Sequence, residues 1–305
     1  RLIFCIFFIS IISLEVYYSV IQPYYISNYH LNVLFSHARR ILGTGTMDDD
    51  LPLARSSATS SAFFELLRSG GVYTEIHEVL IDHPEWARRK TVDGDTALHV
   101  VCYSSSSCHG HSCEIVLEAW PEAARVRNAR GKLPIHFAAH FCPAQFVLNL
   151  LRAYPEAARV PTQHGLLPLH FAAAHAASTV EAMLAVEPRA ARCAARSRDL
   201  PIHNALRSRA IGAEQKANQA RVVELLVDAF PSCVRVAGNG GDLPIHLALI
   251  NHAAAAAVRA LLALDGRTSR VANGQGNTPL QLLSIAHSPD DVQTAVFKAL
   301  CVKEE

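Results

Sequence analysis

A short phrase recurs six times along this chain of 305 residues. It reads TALHVVC at 96–102, LPIHFAA at 133–139, LPLHFAA at 167–173, LPIHNAL at 200–206, LPIHLAL at 243–249 and TPLQLLS at 278–284. The fourth residue of each phrase is His99, His136, His170, His203, His246 and, in the last, Gln281, at spacings of 37, 34, 33, 43 and 35 residues. Self-similarity at a period of roughly 20–50 residues marks a repeat architecture. Each unit is one supersecondary element that cannot bury its apolar face alone. Stacking on neighbours supplies the core, so the chain is expected to fold unit on unit.

A second marker precedes each phrase: HPEWARR, WPEAARV, YPEAARV, EPRAARC, FPSCVRV and DGRTSRV. It is anchored at Pro84, Pro121, Pro155, Pro188, Pro231 and Gly266. From each anchor to the second residue of the next phrase the distance is always 13 residues. The length variation falls between the histidine and the next anchor, where the separation runs from 18 to 28 residues. The constant part reads as a connecting turn that must dock on its neighbours. The variable part reads as two helices whose joining loop can lengthen. A glycine lies ten residues after five of the anchors, at Gly94, Gly131, Gly165, Gly241 and Gly276, as a turn needing positive φ demands. Arg198 takes that place in the remaining unit, so its turn is expected to be strained or differently shaped. The proline of the phrase fits the first turn of a helix, where its missing N–H is harmless. Apolar spacing in Phe146, Val147, Leu150 and Leu151, and in Val222, Val223, Leu225 and Leu226, marks the second helix.

The run G-x-L-P-L/I-H-x-A with a period near 33 resembles the ankyrin repeat, whose mark is G-x-T-P-L-H-x-A. The resemblance covers 61–303, with 63–84 as an earlier degenerate unit in which Phe64 stands at the histidine position. It implies an all-α solenoid of about seven stacked helix–turn–helix units, caps included, joined by hairpin-like loops, and an elongated, curved surface for another macromolecule. Leucine replaces the family's threonine in four units, so a Thr–His hydroxyl contact is lost there. The family's G-H after the first helix and its G-A-D-V-N segment are also missing, the latter replaced by P-E-A-A-R-V.

Composition agrees. The chain has 46 alanines, 45 of them after Met47, and only 7% aromatic residues, which suits closely packed helices and argues against a β-sandwich or barrel. A net charge of +1 excludes a nucleic-acid binder driven by bulk electrostatics. The eight cysteines are irregularly spaced, and most read as small reduced core residues, which points to a cytoplasmic or nuclear location.

Residues 1–46 differ in kind, with one alanine and 17 residues of Phe, Ile or Tyr. Three readings stand open: mistranslated upstream sequence ahead of Met47, a membrane or targeting segment, or an unstructured tail. A membrane anchor at 2–21 would have to carry Glu15 inside it, at a cost, and would make the protein membrane-associated. Residues 47–60 read as a polar disordered lead.

Sixteen histidines invite catalytic readings. Five occupy one repeated position, so they are read as structural, hydrogen-bonding loop backbone. The best metal candidate is Cys102, Cys108, His109, His111 and Cys113 within CYSSSSCHGHSC, whose spacing matches no common structural zinc pattern. An arginine stands four residues after every anchor: Arg88, Arg125, Arg159, Arg192, Arg235 and Arg270. This ladder either satisfies carbonyls and carboxylates or forms a ridge for an anionic partner. No phosphate loop, nucleophile elbow or H-E-x-x-H motif is present. The expected function is a non-enzymatic, monomeric protein-binding scaffold without cofactor, nucleic acid being an unexpected partner.

Ankyrin proteins bind through turn tips and the exposed side of the first helix. The resemblance therefore implies a partner surface at Asp93, Asp95, Tyr103, Arg130, Lys132, His140, Phe141, His164 and His175. It continues through Asp199, Arg207, Asp242, Asn251, Gln275 and Asn277. Ten extra residues, GAEQKANQAR at 212–221, are expected to make a lengthened helix or a projecting loop.

Overall fold

The computed structural model describes residues 60–70, 73–104 and 112–286, together with 294 and 296. They lie in the unit Ala58–Glu305. The apolar segment 1–46 and the lead up to residue 59 fall outside the described residues.

Helices alternate with short 3₁₀ turns. The first helices of successive units are α1 (Ser60–Ser69), α3 (Ala97–Tyr103), α5 (Pro134–Phe141), α7 (Pro168–Ala173), α9 (Pro201–Arg207), α11 (Pro244–Ile250) and α13 (Pro279–Ala286). The second helices are α2 (Tyr73–Asp82), α4 (Ser112–Ala119), α6 (Ala144–Ala153), α8 (Ala177–Val186), α10 (Ala213–Ala229) and α12 (Ala255–Leu264). Each first helix packs on the first helix of the next unit, and each second helix on the next second helix. The result is two helical layers with one cluster of buried apolar residues running from Phe63 to Val296.

Proline opens α5, α7, α9, α11 and α13, as its missing N–H allows. The small pairs Ala138–Ala139 and Ala172–Ala173 then lie fully buried on α5 and α7, where they let neighbouring first helices approach. The second marker is a 3₁₀ turn at Pro84–Arg88, Pro121–Arg125, Pro155–Arg159, Pro188–Arg192, Pro231–Arg235 and Gly266–Arg270. Its third and fourth residues dock into the core, as Ala123–Ala124 and Ala157–Ala158 do, while its arginine points out.

The chain then makes a narrow hairpin-like turn of repeated geometry. In one such turn Asn128 N–H donates to Lys132 O and Gly131 N–H to Asn128 O, both at 2.9 Å. Gly165 shows why glycine is preferred: its φ is +78°, and a Cβ would meet the Arg196 nitrogen at 2.9 Å. Arg198 keeps the same two turn hydrogen bonds and reaches φ +70° without being glycine. Its turn therefore has its neighbours' shape, and the strain is confined to one residue.

The longest spacing is absorbed by helix. α10 has 17 residues where α6, α8 and α12 have ten. Its added turns are tied down by Gln219, which donates to Ala205 O and Ser208 O, and by Asn218, which bonds His175 O and Ala177 N–H of the preceding unit.

Candidate functional site: the turn tips and first helices

The five repeated histidines are fully buried, and each bridges two units. The ring Nδ1 accepts the N–H of the residue just before the helix: Thr96, Leu133, Leu167, Leu200 and Leu243, at 2.9–3.2 Å. With Nδ1 accepting, the proton sits on Nε2, which donates to a carbonyl of the following unit. Those carbonyls are Lys132, Val160, Asp199, Val236 and Val271, at 2.9–3.2 Å. The Thr96 hydroxyl adds a bond to His99 at 2.8 Å. The leucines lack that hydroxyl, yet their N–H keeps the ring in place. Gln281 repeats half of the device, its Oε1 accepting Thr278 N–H at 2.8 Å. Burial lowers the basicity of all five histidines, to about 4 for His136 and His170.

The arginine ladder also reaches forward, to the residue that precedes the next anchor. Arg125 lies over the Tyr154 ring at 5.2 Å and Arg192 over Phe230 at 5.4 Å. Arg159 pairs with Glu187, and Arg235 with Asp265 at 2.5 Å. Two rungs are thus cation–π contacts and two are ion pairs, so the sequence expectation of carbonyl or carboxylate partners omitted the aromatic faces.

Of the positions expected at a partner surface, Asp93, Arg130, Phe141, His164, His175, Arg207 and Gln275 are exposed. Asp95 and Asp199 are not surface residues. Asp95 accepts from Asn128 Nδ2 at 2.8 Å, and Asp242 from Asn273 Nδ2 at 2.8 Å, joining one turn to the next. Asp199 accepts from Asn239 N–H, the Ser197 hydroxyl and Arg207, each at 2.9 Å. Burial pushes its carboxyl pKa up, but these donors outweigh it and hold the group below the usual range. Asn251 donates to Leu206 O of the preceding unit, while Asn277 N–H donates to Asn273 Oδ1 within its own turn. The signal that could have separated these residues from the surface lies one unit away, in Asn128 and Asn273.

Tyr103, Lys132 and His140 are half-buried in an aromatic strip. The strip includes Phe137 and Phe171, which the sequence reading missed although both follow a repeated histidine. Tyr103 and Phe137 are 5.6 Å apart, and the Lys132 ammonium lies 4.9 Å from Phe137 and 5.1 Å from Phe171. His140 sits 4.5 Å from Phe141 and 5.2 Å from His175. Burial, then neighbouring Arg130, lowers the Lys132 pKa. Beyond His175, Arg209 and Gln215 line a cleft of about 260 Å³ under the lengthened α10.

Cys108, His109 and His111 lie outside the described residues. Cys102 and Cys113 are buried, and the Cys113 thiol faces Val101 O at 3.8 Å. Among the described residues no group of three or more His, Cys, Asp or Glu could hold a metal ion. Among them, too, no helix is long and apolar enough to cross a membrane.

Paired antiparallel helices, hairpin-like turns and a repeated histidine bridging consecutive turns define the ankyrin repeat fold. The ankyrin repeat domain of human ASB11 has this architecture: it matches 78% of this chain and 96% of its own length, with a TM-score of 0.56 and 17% sequence identity. No family model and no curated protein matches the sequence.

Proposed function

We propose that this chain is a non-enzymatic scaffold that binds another protein through its turn tips and first helices. One observation carries the reading. The groups that recur from unit to unit are spent on holding the stack: the histidines, the ladder arginines and the turn-bridging Asp–Asn pairs. The exposed side chains of the tips do not recur. They read VD at 92–93, AR at 129–130, QH at 163–164, RS at 196–197, NG at 239–240 and GQ at 274–275 in successive units. A constant frame presenting a variable surface is the design of a recognition module. The five buried histidines are each held by two hydrogen bonds, which suits a framework role better than proton transfer.

Crosslinking of the full chain in cell extract, followed by mapping of the linked residues, tests this. Links should concentrate on the tips and first helices, Lys132 among them. Links confined to the second helices, or none above a scrambled-charge control protein, would refute it.

A further inference from the structure

Among the described residues, the ladder arginines and the arginines of three central tips differ in whether their side chains are engaged. The ladder guanidiniums of Arg125, Arg159, Arg192 and Arg235 each engage a neighbouring unit. On the turn tips, by contrast, the side chains of Arg130, Arg196 and Arg198 make no hydrogen bond or ion pair among the described residues, and all three are exposed. Lys132 stands beside them on its aromatic seat, and Arg127 reaches to Pro161 O at 2.9 Å.

These residues lie on three tips in direct contact. Gln163 Nε2 donates to Ala129 O at 3.0 Å, and Arg196 N–H donates to His164 O at 3.0 Å. The carboxylate within the three tips is Asp199, buried and already served by three donors. The basic stretch is bounded by Asp93 on the tip before it and Asp242 on the tip after it.

Resting on the scaffold reading above, we infer that the three tips at 127–132, 162–166 and 195–199 dock an acidic, extended peptide segment of a partner protein. Stacked helices lie about 10 Å apart, so three tips span roughly 20–30 Å. An extended chain rising about 3.3 Å per residue covers that with about eight residues. Glutamates or aspartates on it would meet Arg130, Lys132, Arg196 and Arg198, and apolar side chains between them would lie against Phe137, Phe141 and Phe171. A nucleic acid fits less well. Its phosphate track would run on past Asp93 or Asp242, and Phe137 and Phe171 meet His99 and His136 edge-on and carry the Lys132 ammonium over their faces rather than standing open as stacking platforms. A flat anionic membrane surface would meet those acidic borders too.

The test uses the full chain and a fluorescein-labelled twelve-residue peptide of repeating Glu-Gly-Glu-Phe. Parallel probes carry Gln or Lys for Glu, and a twelve-nucleotide single-stranded DNA is the polyanion control. Fluorescence anisotropy should show the acidic peptide bound at least about tenfold more tightly than the Gln peptide, and more tightly than the DNA. Raising salt beyond about 0.3 M should weaken it, as expected for exposed charges. The double variant Arg130→Glu, Arg196→Glu should lose about tenfold in affinity with an unchanged circular dichroism melt. Arg125→Glu, which alters an occupied rung, should stay within about twofold. Equal binding of the acidic and Gln peptides, full binding by the double variant, or tighter binding of DNA would each overturn the inference. If crosslinks still map to the tips while the acidic peptide fails, the scaffold reading stands and the acidic partner falls. If both fail, both readings fall.

Discussion

Lowering the pH from 7 to about 5.5 should weaken this fold through its buried histidines, and His136 allows the effect to be isolated. In the unfolded chain a histidine titrates near 6.5. In the folded chain burial holds His136 and His170 at about 4. Below the unfolded value the unfolded state binds more protons than the folded one, so stability falls as pH falls. The contribution is intact above about pH 6.5 and is lost progressively down to about pH 4. For one such histidine the loss is ~1.4 kcal/mol at about pH 5.5 and ~3 kcal/mol by pH 4. The slope near pH 5.5 is ~1.2 kcal/mol per pH unit for each. His136 and His170 together then cost ~3 kcal/mol at that pH, a large share of the stability of an ordinary domain. The perturbation is His136→Gln, which keeps an acceptor at the position, as Gln281 does in the last unit, but cannot take up the proton. Urea unfolding followed by far-ultraviolet circular dichroism, repeated between about pH 5 and 7.5, reads the slope. The variant should be less stable at pH 7, because the bond to Val160 O is weakened, yet its pH slope should be shallower by ~1 kcal/mol per unit. An unchanged slope would mean that His136 is not a buried neutral ring and would refute the reasoning.

Arg198→Gly should stabilise the chain by ~1 kcal/mol, because φ +70° costs an L-residue and not glycine; thermal denaturation that moves downward would contradict this. Arg159→Ala should cost ~1–2 kcal/mol, since it strips the counter-charge from the buried Glu187 carboxylate. Arg125→Ala, which loses an exposed cation–π contact, should cost ~0.5–1 kcal/mol; a reversed order in urea unfolding would show that the rungs are misread. In native protein, iodoacetamide should label Cys193 rapidly and spare Cys102, Cys113, Cys142 and Cys233 until denaturant is added. Cys193 alone of these is exposed, and burial pushes the Cys233 thiol up to about 12. Peptide mapping that finds Cys233 labelled first would refute it.

The repeated helical units and the helix starts at proline were readable because they depend on short-range rules that recur in register. The lengthened α10 was harder. GAEQKANQAR has helix-compatible residues but no apolar stripe, and its anchoring through Gln219 and Asn218 uses backbone carbonyls that no sequence pattern announces. The buried roles of Asp95 and Asp199 were missed for a related reason. A carboxylate beside a turn reads as solvated until its donor is known, and the donors, Asn128 Nδ2 and Asn239 N–H, lie 33 and 40 residues downstream. The ladder's partners were hidden because the residue before the anchor is Tyr in one unit, Glu in the next, then Phe, then Asp. Only the three-dimensional register shows that one guanidinium geometry serves both kinds of neighbour.

The histidine bridge has a direction. Each ring takes its hydrogen bond from its own unit and gives one to the unit that follows, and the ladder arginines lean the same way. Loss of a unit from the leading end would leave the remaining rings fully paired. Loss of one from the trailing end would strand a buried Nε2–H with no carbonyl to receive it. The array is therefore a one-way dependency in which every unit is completed by its successor. Gln281, standing where the next histidine would be, satisfies its own turn through Thr278. A shortened version of this protein should accordingly tolerate trimming from the front better than an equal trim from the back.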